Sequence, residues 1–363
     1  MPIKHVEEYR NPDISRAIID RIKKIRRKKI RLMEVCGTHT TSIFRNGIRM
    51  LLPDTISLLS GPGCPVCVTD QNEIDAFIEI AGIDNVIVTT FGDLIKVPGT
   101  KSSLQKERAE GRDIRIVYST FDAIDIARKN PDKKIVFTGI GFETTAPTIA
   151  ASILFAKQMN INNYFVFSAH KLVPPVLASL MKNKDARING FILPGHVSVI
   201  IGLKAYLPFF EKYKIPCVIT GFEPVDILQA ILSLVKQIEN DQPRLENSYK
   251  RAVTFDGNKK AEKIMYDVFE TVDAAWRGIG VIHGSGLKIR EEFSSFDAEK
   301  IFEFDVPESI IPKGCSCGEI LQGIKTPPEC ALYKKFCTPI NPVGPCMVSS
   351  EGACAAYYQY NGL

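Results

Sequence analysis

Short apolar runs rich in β-branched and aromatic residues alternate with stretches of helical period along the first two-thirds of the chain. The runs Ile30 to Val35, Ile56 to Ser60, Asn85 to Thr90, Ile114 to Tyr118, Lys134 to Thr138, Tyr164 to Ser168, Gly190 to Leu193 and Pro216 to Thr220 predict strands. Between them, Thr41 to Leu52, Gln71 to Ala81, Ala146 to Met159 and Val225 to Ile238 predict helices. In the last, Ile227, Leu228, Ile231, Leu232, Val235 and Ile238 form one apolar stripe, which faces a core rather than a ligand. Strands that alternate with helices imply parallel sheets covered on both faces. Two such units, 28–128 and 129–240, account for the strands. Ahead of them Ile14, Ile18, Ile22 and Ile25 recur at helical spacing, so 1–27 reads as a helical segment expected to pack with the C-terminal region. From 241 to 363 the alternation is lost and cysteines accumulate. The expected class is α/β: two related domains with parallel sheets flanked by helices, plus a cysteine-rich domain.

Composition changes this picture little. Of the 363 residues, 45% are hydrophobic and 24% charged, ordinary values for a globular protein. Much of the net charge of +5 sits between Arg21 and Arg31, on the polar face of the first helix, with no interleaved aromatics to suggest a nucleic-acid surface. No apolar run approaches the ~20 residues of a membrane span, and the opening residues are charged rather than leader-like. The expectation is a cytoplasmic protein that binds neither membrane nor nucleic acid. That setting keeps thiols reduced, so the ten cysteines point to metal or redox chemistry before a disulfide framework.

Unusual residues follow the strands. Cys36-Gly37-Thr38-His39, Gly61 through Cys67, Phe91-Gly92-Asp93, Gly139 through Thr145, Ser168 through Lys171, Pro194-Gly195-His196 and Gly221-Phe222-Glu223 each close a predicted strand. In open α/β sheets ligands bind at the carboxyl ends of strands, so these loops should converge on one or two facing clefts. Cys64-Pro65-Val66-Cys67 has the spacing of a redox dithiol or half a zinc site. With Asp70 and Glu73 set to cap the next helix, these thiols are expected near a helix N-terminus, which favours thiolate. Cys36, at a strand end beside His39, is a nucleophile, an iron ligand or a packed core thiol. His170 and His196 are loop histidines, and Cys217 lies inside an apolar run. Gly139-Ile140-Gly141-Phe142-Glu143-Thr144 lacks the third glycine of a dinucleotide fingerprint, and no P-loop is present. Six cysteines lie between Cys315 and Cys354, without the tight pairs of ferredoxins. Four of them would hold an iron–sulfur cluster or zinc. If their segment is extended, Cys315 and Cys317 point to opposite sides.

Taken together these motifs resemble the HypD family of [NiFe]-hydrogenase maturation factors, over nearly the whole chain. The residues that carry the resemblance are Cys36 to His39, Gly61 to Cys67, Phe91 to Asp93, Gly141 to Pro147, Pro194 to Ser198, Gly221 to Pro224 and the terminal cysteines. The resemblance implies a metallocofactor assembly factor with redox activity rather than a conventional turnover enzyme, one that helps build an Fe(CN)2CO unit. It implies a third domain with a [4Fe-4S] cluster on Cys315, Cys330, Cys337 and Cys354, leaving Cys317 and Cys346 as non-ligands. Cys36 would hold the nascent iron carrying CN and CO, and Cys64 and Cys67 would cycle between dithiol and disulfide. His39, Asp93, Glu143, Thr144 and His196 would line the cleft. The implied partners are a small HypC-type chaperone and a HypE-type protein that delivers cyanide. Two alternatives are a stand-alone iron–sulfur thiol-disulfide oxidoreductase and a zinc-binding scaffold.

Overall fold

Two strand segments far apart in the chain share one sheet, and this arrangement positions the site. The computed structural model describes residues 7–25, 28–310 and 312–360. Among these the strands are β1 (Ile30–Glu34), β2 (Ile56–Ser60), β3 (Val86–Thr90), β4 (Ile114–Ile116), β5 (Lys134–Gly139), β6 (Tyr164–Ser168), β7 (Gly190–Pro194), β8 (Cys217–Thr220), β9 (Leu245–Asn247), β10 (Phe269–Trp276) and β11 (Gly280–Ile289). One sheet has the order β2-β1-β7-β8-β9 and the other β4-β3-β5-β6, with every pair parallel. Strands β10 and β11 form an antiparallel hairpin. The α/β class with helix-flanked parallel sheets is the one the alternation predicts.

The sheets do not divide the chain at 128. The chain lays down β1 and β2, leaves to build the whole of the second sheet, and returns with β7 to pair beside β1. Strands β1 and β7 are buried on both faces, with Leu32, Met33, Phe191 and Ile192 fully covered. Such continuous apolar strands carry no alternation to mark their neighbour, so partner choice rests on packing.

The N-terminal helix, Pro12–Ile25, packs chiefly against Pro224–Glu239, and the segment meets the C-terminal region where the Arg251 guanidinium lies 3.8 Å over the Tyr9 ring. Ile18, Ile19 and Ile22 share a buried cluster with Leu228, Ile231 and Val235, so the apolar stripes of the two helices cover each other. Residues 1–6, 26 and 27 of that segment lie outside the described residues.

The predicted helix Thr41 to Leu52 starts earlier and breaks in two, Gly37–Arg45 and Ile48–Leu51. Gly47 between them sits at φ 63°, a left-handed turn that a glycine adopts without strain. Gln71–Ala81 forms as predicted, with the Asp70 and Glu73 capping box in place, an arrangement worth ~1 kcal/mol. The cysteine-rich region has no separate core. Cys317, Ile320, Leu321, Met347 and Ala353 belong to the same buried cluster as Met33, Val66, Phe77 and Phe191. The hairpin joins the second sheet's cluster through Phe269, Leu287 and Ile289.

Candidate functional site

The loops after β1, β2, β7 and β8 gather at the carboxyl edge of the first sheet. Cys36 is the residue just before helix Gly37–Arg45, and Cys64 stands just before the helical turn Pro65–Val68. The two loops are locked by a hydrogen bond from the Gly37 N–H to the Gly63 carbonyl, 3.0 Å. A Cβ on Gly63 would fall 2.1 Å from the Cys36 nitrogen, so only glycine lets the loops approach this closely. Gly63→Ala should therefore lower stability by ~1–3 kcal/mol or more, read as a reduced denaturant midpoint.

The Cys64 and Cys67 sulfurs face each other at 2.7 Å, both as free thiols. Contrary to the sequence expectation, burial pushes the Cys67 thiol up. The helix that follows Cys64 is a single turn, and its weak dipole does not offset removal from water. Burial likewise pushes the Cys36 thiol up to about 12. His39 donates from Nε2 to the Gly221 carbonyl at 2.9 Å, which leaves Nδ1 as a buried lone pair without a partner among the described residues. Burial lowers its pKa to about 4, so the ring is neutral at physiological pH. Phe222 holds it in place, with His39 at 4.8 Å and His196 stacked on the same ring at 3.9 Å. Beneath Cys36, Glu34 is fully buried, accepts from Thr40 Oγ1 at 2.8 Å, and is raised to about 8 by burial.

The C-terminal region closes over this edge. Thr38 Oγ1 donates to Glu351 Oε1 at 2.7 Å, and Ser349 Oγ donates to Asp93 Oδ2 at 3.3 Å. Asp93 is thus brought to the site from the second sheet. Glu143 and the part-exposed Thr144 lie in the loop after β5. Glu143 accepts the Val173 N–H at 3.0 Å, its other oxygen has no partner among the described residues, and burial raises it to about 7. Buried Tyr206 is bonded to Ser198 Oγ at 3.1 Å in the helix that follows β7. An acid whose folded pKa stands above its unfolded 4.5 loses stability as pH rises between the two values. Glu143→Gln should thus gain on the wild type from pH ~4.5 to ~7 and hold a constant advantage above, as read from thermal midpoints across that range.

Cys315, Cys317, Cys330, Cys337 and Cys354 line one small pocket with Ile320, Leu332, Tyr333, Gly344 and Met347. Cys315 and Cys317 do not point apart: their sulfurs are 3.3 Å from each other. Ser316 is not extended (φ −98°, ψ 22°) because the helix Cys317–Leu321 begins directly after it. The Val343 N–H points at the Cys337 sulfur at 3.3 Å. Cys346, fully buried, joins this pocket to the other thiols. Its thiol interacts with those of Cys67, Cys317 and Cys354; burial raises the Cys67 thiol, and hydrogen bonding to Cys317 and Cys346, with burial, raises that of Cys354. A run of sulfurs therefore leads from Cys64 through Cys67 and Cys346 to Cys317 and Cys354.

Residues 13–361 match the family model described as HypD, hydrogenase formation hypA family. The chain belongs to the HypD family. It is 47% identical over 350 residues to a putative hydrogenase expression/formation protein of Methanocaldococcus jannaschii, a match covering 95% of this chain and 96% of that protein. It is 44% identical over 367 residues to the hydrogenase maturation factor HypD of Azotobacter vinelandii, covering 99% and 97%. It is 41% identical over 366 residues to the factor of that name in Escherichia coli K12, covering 99% and 98%. This HypD-family chain is therefore a hydrogenase maturation factor.

In this family member the loops carrying Cys36, His39, Cys64, Cys67 and His196 gather at one sheet edge and Asp93 is tied to it through Ser349. Glu143 is bonded to the Val173 N–H, and no hydrogen bond among the described residues joins it or Thr144 to those thiols. His283 is exposed and pairs only with Asp273, and Cys217 is core. Cys346 and Glu34 escaped sequence reasoning. Cys346 had no motif of its own, and Glu34 read as an ordinary strand residue. The terminal cysteines fit a four-thiolate cluster: soft ligands, a backbone N–H aimed at sulfur, and apolar walls. Among the described residues no three His, Cys, Asp or Glu side chains converge on a point that would hold a single metal ion. No helix there is long and apolar enough to cross a membrane.

Proposed function

We propose that this chain is the scaffold and redox component on which the Fe(CN)2CO unit of [NiFe]-hydrogenase is assembled. Cys36 holds the iron, which is cargo, together with a cysteine of a small HypC-type partner, and a HypE-type protein supplies cyanide. Binding iron exchanges the Cys36 thiol proton for the metal, which relieves the cost of a thiolate in a buried site. His39, kept neutral by burial and fixed through Nε2 on the Gly221 carbonyl, would line the cleft beside the iron. Closing a disulfide between Cys64 and Cys67 releases two electrons and two protons, and reopening it takes both back. A [4Fe-4S] cluster held by Cys315, Cys330, Cys337 and Cys354 would supply one-electron transfer there.

The observation that supports this reading is the closeness of the thiols: Cys64 and Cys67 face each other at 2.7 Å, the Cys67 sulfur lies 3.9 Å from the Pro345 carbonyl beside Cys346, and Cys346 interacts with the pocket thiols Cys317 and Cys354. A scaffold that bound zinc for structure alone has no use for such a path. The test is infrared spectroscopy of the chain isolated anaerobically with its small partner. Bands of metal-bound cyanide and CO are expected. Their absence, with an intact cluster, would favour a stand-alone thiol oxidoreductase; zinc in place of iron and sulfide would favour the structural scaffold.

A further inference from the structure

We propose that Arg277 is the positioning residue that tunes the cysteine pocket, its guanidinium holding negative charge on the neighbouring sulfurs and making the cluster proposed there easier to reduce. The inference rests on the reading of that pocket as an iron–sulfur site.

Arg277 lies at the tip of the β10–β11 hairpin, directly after the buried Trp276. The tip is clamped from both sides. Towards the dithiol, Trp276 bridges to Thr69, and the Arg277 N–H donates to the Val68 carbonyl at 3.0 Å. Towards the pocket, Gly278 packs directly on Gly318, and Gln322 Nε2 donates to the Gly278 carbonyl at 2.8 Å. The hairpin tip that carries Arg277 is therefore fixed between the segment that follows Cys67 and the helix that begins at Cys317.

Its direct acceptors are neutral. Nε donates to the Thr69 carbonyl at 2.8 Å and Nη1 to the Gln71 amide oxygen at 2.5 Å. Nη2 is buried and has no partner among the described residues. Within electrostatic reach are the Cys317 sulfur, the Asp70 carboxylate, which already caps the next helix, and the sulfurs of Cys346 and Cys315, all three cysteines being free thiols. A guanidinium does not shed its proton, so burying one against neutral groups is a standing cost. Negative charge on the adjacent sulfurs relieves it. A cluster on four thiolates is anionic, and each electron added makes it more so. A fixed cation in a dry pocket favours the reduced form, since net charge and hydrogen bonds at sulfur set such potentials.

The experiment uses the full chain, reconstituted anaerobically, as wild type, Arg277→Lys and Arg277→Gln. Iron and sulfide content is measured first, then the midpoint potential of the cluster by redox titration. Arg277→Gln should keep the cluster and shift its one-electron equilibrium towards the oxidised form by about tenfold or more, ~59 mV. Arg277→Lys, which keeps the charge, should stay near the wild-type potential. A glutamine variant that takes up no iron beside a lysine variant with a normal cluster also supports the charge requirement. A fully loaded glutamine variant at unchanged potential overturns the proposal. So does loss of the cluster in both variants, which marks Arg277 as a clamp. A wild-type chain that takes up no iron and sulfide overturns the pocket reading itself, and the iron content separates that failure from the others.

Discussion

Cys36→Ala should abolish the infrared bands of metal-bound cyanide and CO in the complex with the small partner, while the iron and sulfide of the cysteine pocket stay at wild-type level. The effect is expected to be complete because, in the function proposed, the thiol would be the chain's own bond to the iron. His39 is turned away to the Gly221 carbonyl through Nε2, and Cys64 faces Cys67. Folding should suffer little. Trimming one buried sulfur leaves a small cavity, at a cost of ~1 kcal/mol, so a melting curve close to wild type separates loss of the ligand from loss of the fold. Bands that persist in the purified variant would remove Cys36 from the role of essential ligand.

The second large effect concerns the six terminal cysteines. Alanine at Cys315, Cys330, Cys337 or Cys354 should destroy the cluster. It should also lower the unfolding midpoint, because the proposed metal centre would staple a region that has no core of its own. Alanine at Cys346 should leave iron and sulfide in place but stop reduction of the Cys64–Cys67 disulfide, since Cys346 is the sulfur between the pocket and Cys67. Cys317 is the sharper case. It lines the same pocket and lies 3.3 Å from Cys315, so proximity does not separate the two. The family spacing selects Cys315, and Cys317→Ala should accordingly retain the cluster. Iron and sulfide assays across the six variants, with thiol counting after reduction, test all of this. Cluster loss in the Cys317 variant with retention in the Cys315 variant would reverse the assignment.

Several site features were legible in the chain because they are local. A C-x-x-C spacing brings two thiols together whatever the surrounding fold, and Cys64 and Cys67 do face each other. The Asp70 and Glu73 capping box depends on three intervening peptide units and formed as read. Placing Cys36, His39 and His196 at strand ends required only the rule that α/β loops carry function. Other features were out of reach. The thiolate character expected of Cys67 failed because burial, a property of the whole fold, outweighed one helical turn. The opposed orientation expected of Cys315 and Cys317 failed because a helix begins where an extended segment was assumed. Arg277 carried no motif, and its meaning lies in what surrounds its guanidinium.

By itself the sequence determined the eight strands up to Thr220 and the α/β class, together with the set of chemically able residues, but not β9, the β10–β11 hairpin or the helix Lys259–Val268 between them. Periods of two and of 3.6 residues, caps and breakers are written within a few positions of one another. Tertiary structure alone decided that β1 pairs with β7 across more than a hundred residues, that the first helix lies on Pro224–Glu239, and that Cys346 joins the dithiol to the pocket. Those outcomes depend on which buried surfaces fill each other best. Apolar strands and isolated cysteines are alike until the core brings them into contact.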